Sequence, residues 1–274
     1  MSALDDKFAG SIPLLYDTYL VPLIFEPYAV DLANRLRARP VSRVLELAAG
    51  TGVVTRALSS TLPGEVSLVA TDLNPAMLER AAAVGTARAV EWRQADAMQL
   101  PFPDGAFDAV VCQFGVMFFP DKARAFAETR RVLRPGGVFL FNTWDLIAEN
   151  EFADTVTAAL EPLFPVDPPR FLARTPHGHA DTGVFARALA AGGFTAPPEI
   201  TTVAARSRAA SARIPAVAYC QGTPLRSEIE ARDASRMGEA TDAATAAIAD
   251  RFARGAVDVA VDGKMQAHVV IIDR

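Results

Sequence analysis

From about residue 26 to 143 the chain alternates short apolar, β-branched-rich runs with helical patterns, and this alternation restricts the fold more than any other feature. Residues 41–48 (VSRVLELA), 66–72 (VSLVATD), 90–95, 107–113 (FDAVVCQ) and 138–143 read as strands. Residues 53–60 and 121–133 read as helices, and Asn74-Pro75 opens another, a capping residue followed by proline at the first helical position. Arg134-Pro135-Gly136-Gly137 is expected to stop the helix that precedes the fifth strand. Strands that alternate with helices through short connections imply a mostly parallel sheet covered on both faces, a doubly wound α/β fold.

After Thr143 the pattern loosens. Residues 149–164 look helical, prolines 162, 165, 168 and 169 then force irregular chain, and residues 181–191 form another expected helix closed by Gly192-Gly193. Residues 200–205 and 265–272 (MQAHVVII) read as late strands. The Ala-, Arg- and Glu-rich helical stretch 209–255 between them is too long for a turn and reads as a lid. The expected division is an N-terminal helical segment contributing to the lid (1–40), a cofactor-binding core (41–206), a helical lid insertion (207–260) and a last core strand (261–274).

The totals fit an ordinary globular protein, with 51% apolar and 22% charged residues. A net charge of −5 argues against a nucleic-acid partner, and no run reaches the 18 apolar residues of a membrane helix. The N-terminus carries Asp5, Asp6 and Lys7 rather than the apolar centre of a signal peptide. Two cysteines, Cys112 and Cys220, make neither a disulfide framework nor a zinc site, so a reducing cytoplasm is expected. Oligomeric state is left open between monomer and homodimer.

The densest chemical signal is Glu46-Leu47-Ala48-Ala49-Gly50-Thr51-Gly52. Small residues through a strand-to-helix turn let the backbone approach a ligand, and the helix N-terminus offers unpaired N–H donors. Asp72 ends the second strand, where a carboxylate can accept both hydroxyls of a ribose, and Asp96 follows the third, where it can read an adenine edge. Each Asp alone is also an ordinary cap or turn residue. A ribose acceptor serves NAD and S-adenosylmethionine alike. The dinucleotide pattern, however, counted from Gly50, meets Thr55 where its third glycine or alanine belongs, and it gives no use for Glu46 or Asp96.

Four segments carry a resemblance to class I S-adenosylmethionine-dependent methyltransferases. Residues 44–52 (VLELAAGTG) resemble motif I of that family, and residues 70–78 (ATDLNPAML) its ribose-binding strand end. Residues 94–97 (QADA) with 100–108 (LPFPDGAFD) resemble its adenine segment, and 133–137 (LRPGG) the turn before strand five. The pattern is most similar to the type 11, ubiquinone- and menaquinone-biosynthesis-like branch. The resemblance implies a Rossmann-like, mostly parallel seven-stranded sheet with a small helical lid, S-adenosylmethionine as cofactor and S-adenosylhomocysteine as product. By position it implies that Glu46 organises the methionine amino group while Ala48, Gly50 and Gly52 line the methionine. Asp72 would hold the ribose, Leu73 and Met77 would pack on adenine, Asp96 and Ala97 would contact its edge, and Gln113 would offer a backbone carbonyl to the ammonium. Ala48 departs from the family's frequent glycine.

The acceptor half is less legible. Tyr16 and Tyr19 are candidates to face the sulfonium, against simple lid packing, and Phe114, Phe118 and Phe119 are candidates to wall an acceptor pocket, against simple core. His177 and His179 flank Gly178 with no sure third ligand, so no metal is expected and a solvated loop is the plainer reading; His268 reads as structural. No residue is assigned as general base. The expected activity is methyl transfer to a small organic molecule, phenol- or quinone-like or another metabolite. The alternative is a cofactor-binding, non-catalytic or regulatory module on the same fold.

Overall fold

The computed structural model describes residues 12–274. Strands β1 (Arg43–Glu46), β2 (Ser67–Asp72), β3 (Glu91–Gln94), β4 (Phe107–Gln113), β5 (Leu133–Trp144), β6 (Glu199–Ala209) and β7 (Val261–Asp273) form one seven-stranded sheet. Their order is β3-β2-β1-β4-β5-β7-β6, and the pairs β1·β2, β2·β3, β1·β4 and β4·β5 are parallel. The chain winds outward from β1 to β3, then restarts on the other side of β1 with β4. The crevice at that reversal, outside the carboxyl ends of β1 and β4, is where open α/β sheets bind ligands.

The helices are α1 (Ile12–Leu15), α2 (Glu26–Arg37), α3 (Val53–Thr61), α4 (Pro75–Val84), α5 (Lys122–Val132), α6 (Glu151–Leu160), α7 (Phe171–Arg174), α8 (Thr182–Ala191), α9 (Arg213–Gly222), α10 (Leu225–Asp233) and α11 (Met237–Ala253). A π-helical stretch, Tyr16–Phe25, joins α1 to α2. The chain divides into two compact units.

One unit comprises residues 26–143, 179–203 and 267–274. Alternation along its strands sends two different sets of side chains to the two sheet faces. Val44, Leu68, Ala109, Val111, Val138, Leu140, Val269 and Ile271 form a buried aliphatic cluster with Leu32 and Leu36 of α2 and Val54 and Leu58 of α3. The alternate residues Phe139 and Phe141 build an aromatic cluster with Phe126 of α5, Phe185 of α8 and Phe194, with ring centroids 4.9–6.4 Å apart. The helix starts follow the sequence closely: Asn74 accepts a hydrogen bond from the Ala76 N–H at 2.9 Å, and Asp121 from the Arg124 N–H at 2.9 Å.

The other unit comprises the described residues up to Phe25 with 144–178 and 204–266. It holds α6, α9 and α11, whose faces meet through small buried residues, among them Ala153, Ala216, Ala240 and Ala244. The Ser207 hydroxyl donates to the Leu23 carbonyl at 2.9 Å, tying β6 to the π-helical stretch. Among the described residues no helix is long and apolar enough to cross a membrane.

The structure differs from the sequence expectation at the end of α5. The chain does not pause over residues 134–137 but enters β5 at once, because Phe107 pairs with Leu133 and Ala109 already pairs with Val138. Five residues of β5 thus match two of β4, a bulge. Asp108, opposite the bulge, is buried, and its carboxylate accepts from the backbone N–H groups of Ser42 and Arg43, the latter at 2.8 Å, and pairs with Arg134 at 2.8 Å. It fixes where β1 begins and where β5 bulges. Asp108→Ala should strand two backbone donors and cost about 2–4 kcal/mol, read as a lower urea midpoint with unchanged slope. A loss below about 0.5 kcal/mol would show that the carboxylate does not hold this corner.

Candidate cofactor site

The turn after β1 is fastened to both neighbouring strands. The Leu47 N–H donates to Val111 of β4 at 2.8 Å and the Ala49 N–H to Thr71 of β2 at 2.9 Å. The turn then closes on itself with a 2.9 Å bond from the Gly52 N–H to Ala49, and α3 starts from Gly52. Gly50 takes φ 55°, and a side chain added there would meet nothing within 4 Å, so the backbone of the turn borders open space. That open flank, beside the first N–H groups of α3, is a cradle for a ligand's polar end.

Two carboxylates border the turn. Glu46, the last residue of β1, is buried, receives a 2.5 Å hydrogen bond from the Thr55 hydroxyl of α3, and has no ion pair among the described residues. Burial, resisted by the Thr55 bond and reinforced by the charge on Asp72, pushes its pKa up to about 8. Asp72, ending β2, accepts the Gly50 N–H on one oxygen and the Asn74 N–H on the other, both at 2.8 Å. Glu46 holds its proton beside Asp72 and can ionise there when a cationic guest offsets both carboxylates.

The remaining predicted residues of this unit lie at the same strand edge. Leu73 and Met77 follow β2; Met77 is buried and Leu73 half-buried, its carbonyl accepting from Gln94 Nε2 at 2.9 Å. The Ala95 N–H donates to the Asp72 carbonyl at 3.0 Å, bringing the Asp96-Ala97 turn beside the end of β2. Asp96 itself accepts the Met98 N–H at 2.8 Å and so shapes its own turn. Gln113 ends β4, buried, with its side-chain oxygen 3.5 Å from Asn142 Nδ2. Glu46, Ala48, Gly50, Gly52, Asp72, Leu73, Met77, Asp96, Ala97 and Gln113 therefore all belong to one unit, at the ends of β1 to β4. Tyr16 belongs to the other unit, where it stacks on Phe25 with centroids 5.0 Å apart.

Residues 45–141 match a family model described as a methyltransferase domain. The chain carries a class I S-adenosylmethionine methyltransferase domain. A demethylmenaquinone methyltransferase of Thermus thermophilus is 48% identical over 111 residues, 40% of this chain and 49% of the relative. A ubiquinone/menaquinone biosynthesis C-methyltransferase of Teredinibacter turnerae is 36% identical over 121 residues, 43% of this chain and 47% of the relative. The chain thus spans about half the length of the curated relatives it matches. Among solved structures, the YcgJ protein of Bacillus subtilis shares the fold with a TM-score of 0.57 at 17% identity, over 90% of this chain and 98% of that one. A Bacillus halodurans protein shares it at 0.54 and 18%, over 89% and 97%.

Two residues brace the candidate site that the sequence did not single out for it. Thr55, which spoiled the dinucleotide pattern, sits one turn into α3 and gives Glu46 its hydrogen bond. Asn142 of β5 accepts the Phe114 N–H at 2.9 Å and so holds the chain as it leaves β4. Ala48 and Phe114, each just beyond a strand end, take positive φ of 52° and 50°. A methyl on Gly115 would lie 2.5 Å from the Ala48 methyl and 2.7 Å from Cys112 Sγ. Of the acceptor-side candidates, Phe114 is buried and edge-on to Tyr28 at 5.3 Å. No three His, Cys, Asp or Glu residues gather as a metal site among those described. His177 and His179 fall in different units, and His177 is buried rather than solvated.

Two predictions follow from this packing and charge. Gly115→Ala should destabilise by about 1–3 kcal/mol through overpacking, and Ala48→Gly should rescue part of that loss, because it removes the nearer methyl and the left-handed strain together. Additive effects in the thermodynamic cycle would exclude the contact. Glu46 titrates near pH 8 in the folded, ligand-free chain and in the ordinary carboxylate range when unfolded. The folded state therefore holds the extra proton between those values, and the stability this group contributes is complete below about pH 4.5 and is lost as pH rises through about 8. In Glu46→Gln the decline in urea midpoint between pH 5 and pH 8.5 should be visibly shallower.

Proposed function

We propose that this chain transfers the methyl group of S-adenosylmethionine to a small aromatic hydroxyl compound, of the phenol or quinol kind. The observation that carries the reading is the pairing of an open glycine turn with two carboxylates, Glu46 and Asp72, at adjacent strand ends. A dinucleotide would bring its pyrophosphate to the glycine turn, beside Glu46. A ligand with an ammonium, a sulfonium and a ribose brings cations to Glu46 and hydroxyls to Asp72. The residues present fit that cofactor, which supplies an already activated methyl group when bound.

The roles then follow from the strand ends. Glu46, once ionised, pairs with the ligand's ammonium, with Thr55 holding the carboxylate in place. Asp72 keeps the glycine turn in shape through Gly50 and accepts the ribose hydroxyls, while Leu73 and Met77 give the base an apolar seat beside Asp96 and Ala97. The Gln113 carbonyl and the backbone lined by Ala48, Gly50 and Gly52 border the methionine portion. The relatives' printed names concern quinones, which supports a quinol acceptor here, acting as monomer or homodimer. The free, buried Cys112 and Cys220 support a reducing, cytoplasmic location.

Calorimetric titration should show binding of both S-adenosylmethionine and S-adenosylhomocysteine, and labelled methyl should pass to reduced 1,4-naphthoquinone. Absence of binding by either nucleoside would overturn the reading. Asp72→Ala should weaken both by more than tenfold, since a charged acceptor of ribose hydroxyls is lost. Because Glu46 must give up its proton to pair with the ammonium, affinity should rise from pH 6 to pH 8 with proton release seen as a buffer-dependent heat. Glu46→Gln should abolish that release.

A further inference from the structure

The turn after β1 holds a buried polar group that its surroundings leave unsatisfied. Thr51, between Gly50 and Gly52, is 1% exposed, and its hydroxyl has no hydrogen-bond partner among the described residues. The neighbouring threonine hydroxyls are engaged: Thr55 donates to the Glu46 carboxylate at 2.5 Å and Thr71 to the Glu46 carbonyl at 2.8 Å. An unpaired buried hydroxyl destabilises a fold, and an apolar side chain of the same shape would avoid that cost. Threonine at this position therefore calls for a partner that arrives from outside the chain.

The backbone on either side of Thr51 is already committed. Asp72 takes the Gly50 N–H at 2.8 Å, the Ala49 carbonyl takes the Gly52 N–H at 2.9 Å, and Arg56 Nη1 donates to the Thr51 carbonyl at 2.7 Å. The Thr51 N–H has no partner among the described residues. One residue thus keeps two donors, an N–H and an O–H, immediately before α3 starts from Gly52 and next to the open flank of Gly50. A helix N-terminus adds positive potential there, so the matching guest is an anion with oxygen acceptors. In an α-amino acid the ammonium and the carboxylate share one carbon, so an ammonium paired with Glu46 brings its own carboxylate to the same turn. A phosphate carries no such compensating cation and would meet Glu46 and Asp72 with its full charge.

We propose that the Thr51 hydroxyl and N–H bind the carboxylate of the methionine portion, so that the turn reads an intact α-amino acid, with Glu46 on the ammonium and Thr51 on the carboxylate. This role rests on the methyl-transfer reading and adds the residue that selects the amino-acid end of the donor. Thr51 acts in binding and takes no part in moving the methyl group. All the residues involved belong to one unit.

The test titrates two probes by calorimetry: S-adenosylhomocysteine and its decarboxylated counterpart, which keeps the adenosine, the thioether and the amine. Wild type should bind the intact probe at least about tenfold tighter, since a charge-assisted pair of hydrogen bonds is lost with the carboxylate. Thr51→Val keeps the shape and removes the hydroxyl. It should weaken S-adenosylhomocysteine by about tenfold while leaving the decarboxylated probe within about twofold. Thr51→Ser restores a hydroxyl and should recover most of the preference. The melting temperature of ligand-free Thr51→Val should equal or exceed that of wild type, whereas a hydroxyl that held the turn together would lower it. Equal affinity of wild type for both probes overturns the proposal, as does equal weakening of both by Thr51→Val or a lowered ligand-free melting temperature. Unchanged S-adenosylhomocysteine affinity in Thr51→Val also overturns it, and would be the result if Arg56 took the carboxylate instead. Binding of neither probe to wild type overturns the methyl-transfer reading as well, so the two failures are told apart.

Discussion

The hydrogen bond from the Gly50 N–H to the Asp72 carboxylate is the contact on which the site depends. It joins the turn after β1 to the end of β2, so the group expected to receive a ligand's ribose also shapes the cradle for its other end. The Asp72 carbonyl extends the link to β3 through the Ala95 N–H. Three strand ends are thereby held in register by one residue. Glu46 beside it carries the electrostatic cost: a buried carboxylate with a hydroxyl partner and a like charge nearby stays protonated until a cation arrives.

The turn after β1 and the caps near it were legible in the sequence because their constraints are local. A strand end, small residues and a helix start occupy a few consecutive positions, and the caps at Asn74 and Asp121 are written within three residues of the groups they satisfy. The mostly parallel sheet followed from the alternation of patterns, and its seven strands from the family resemblance. What escaped were contacts between distant residues. Asp108 reads as one more polar residue in an apolar run, and only the sheet brings Ser42, Arg43 and Arg134 to it. Thr55 registered as a mismatch to one motif, whereas the helix turns its hydroxyl back onto Glu46.

His177 shows the same limit from the other side. In sequence it is a histidine beside glycine in a proline-rich stretch, the composition of a solvated loop. Its burial depends on Trp144 at the end of β5, and the Asp145 carbonyl that meets its Nδ1 is held by Asn150, itself bonded to Gln266, more than a hundred residues away in the chain. No local pattern encodes such a placement.

The path of β6 and β7 has a consequence for how such enzymes diversify. The helical residues between them leave through one strand and return through its neighbour in the sheet, and each strand spans the division between the two units. The entry and exit of that segment are therefore pinned side by side, whatever lies between. Because the entropic cost of closing a longer excursion grows only slowly with its length, the segment can be exchanged, lengthened or repacked while the ends of β1 to β4 stay untouched. A lineage can in this way replace the molecule it modifies without rebuilding the chemistry that modifies it.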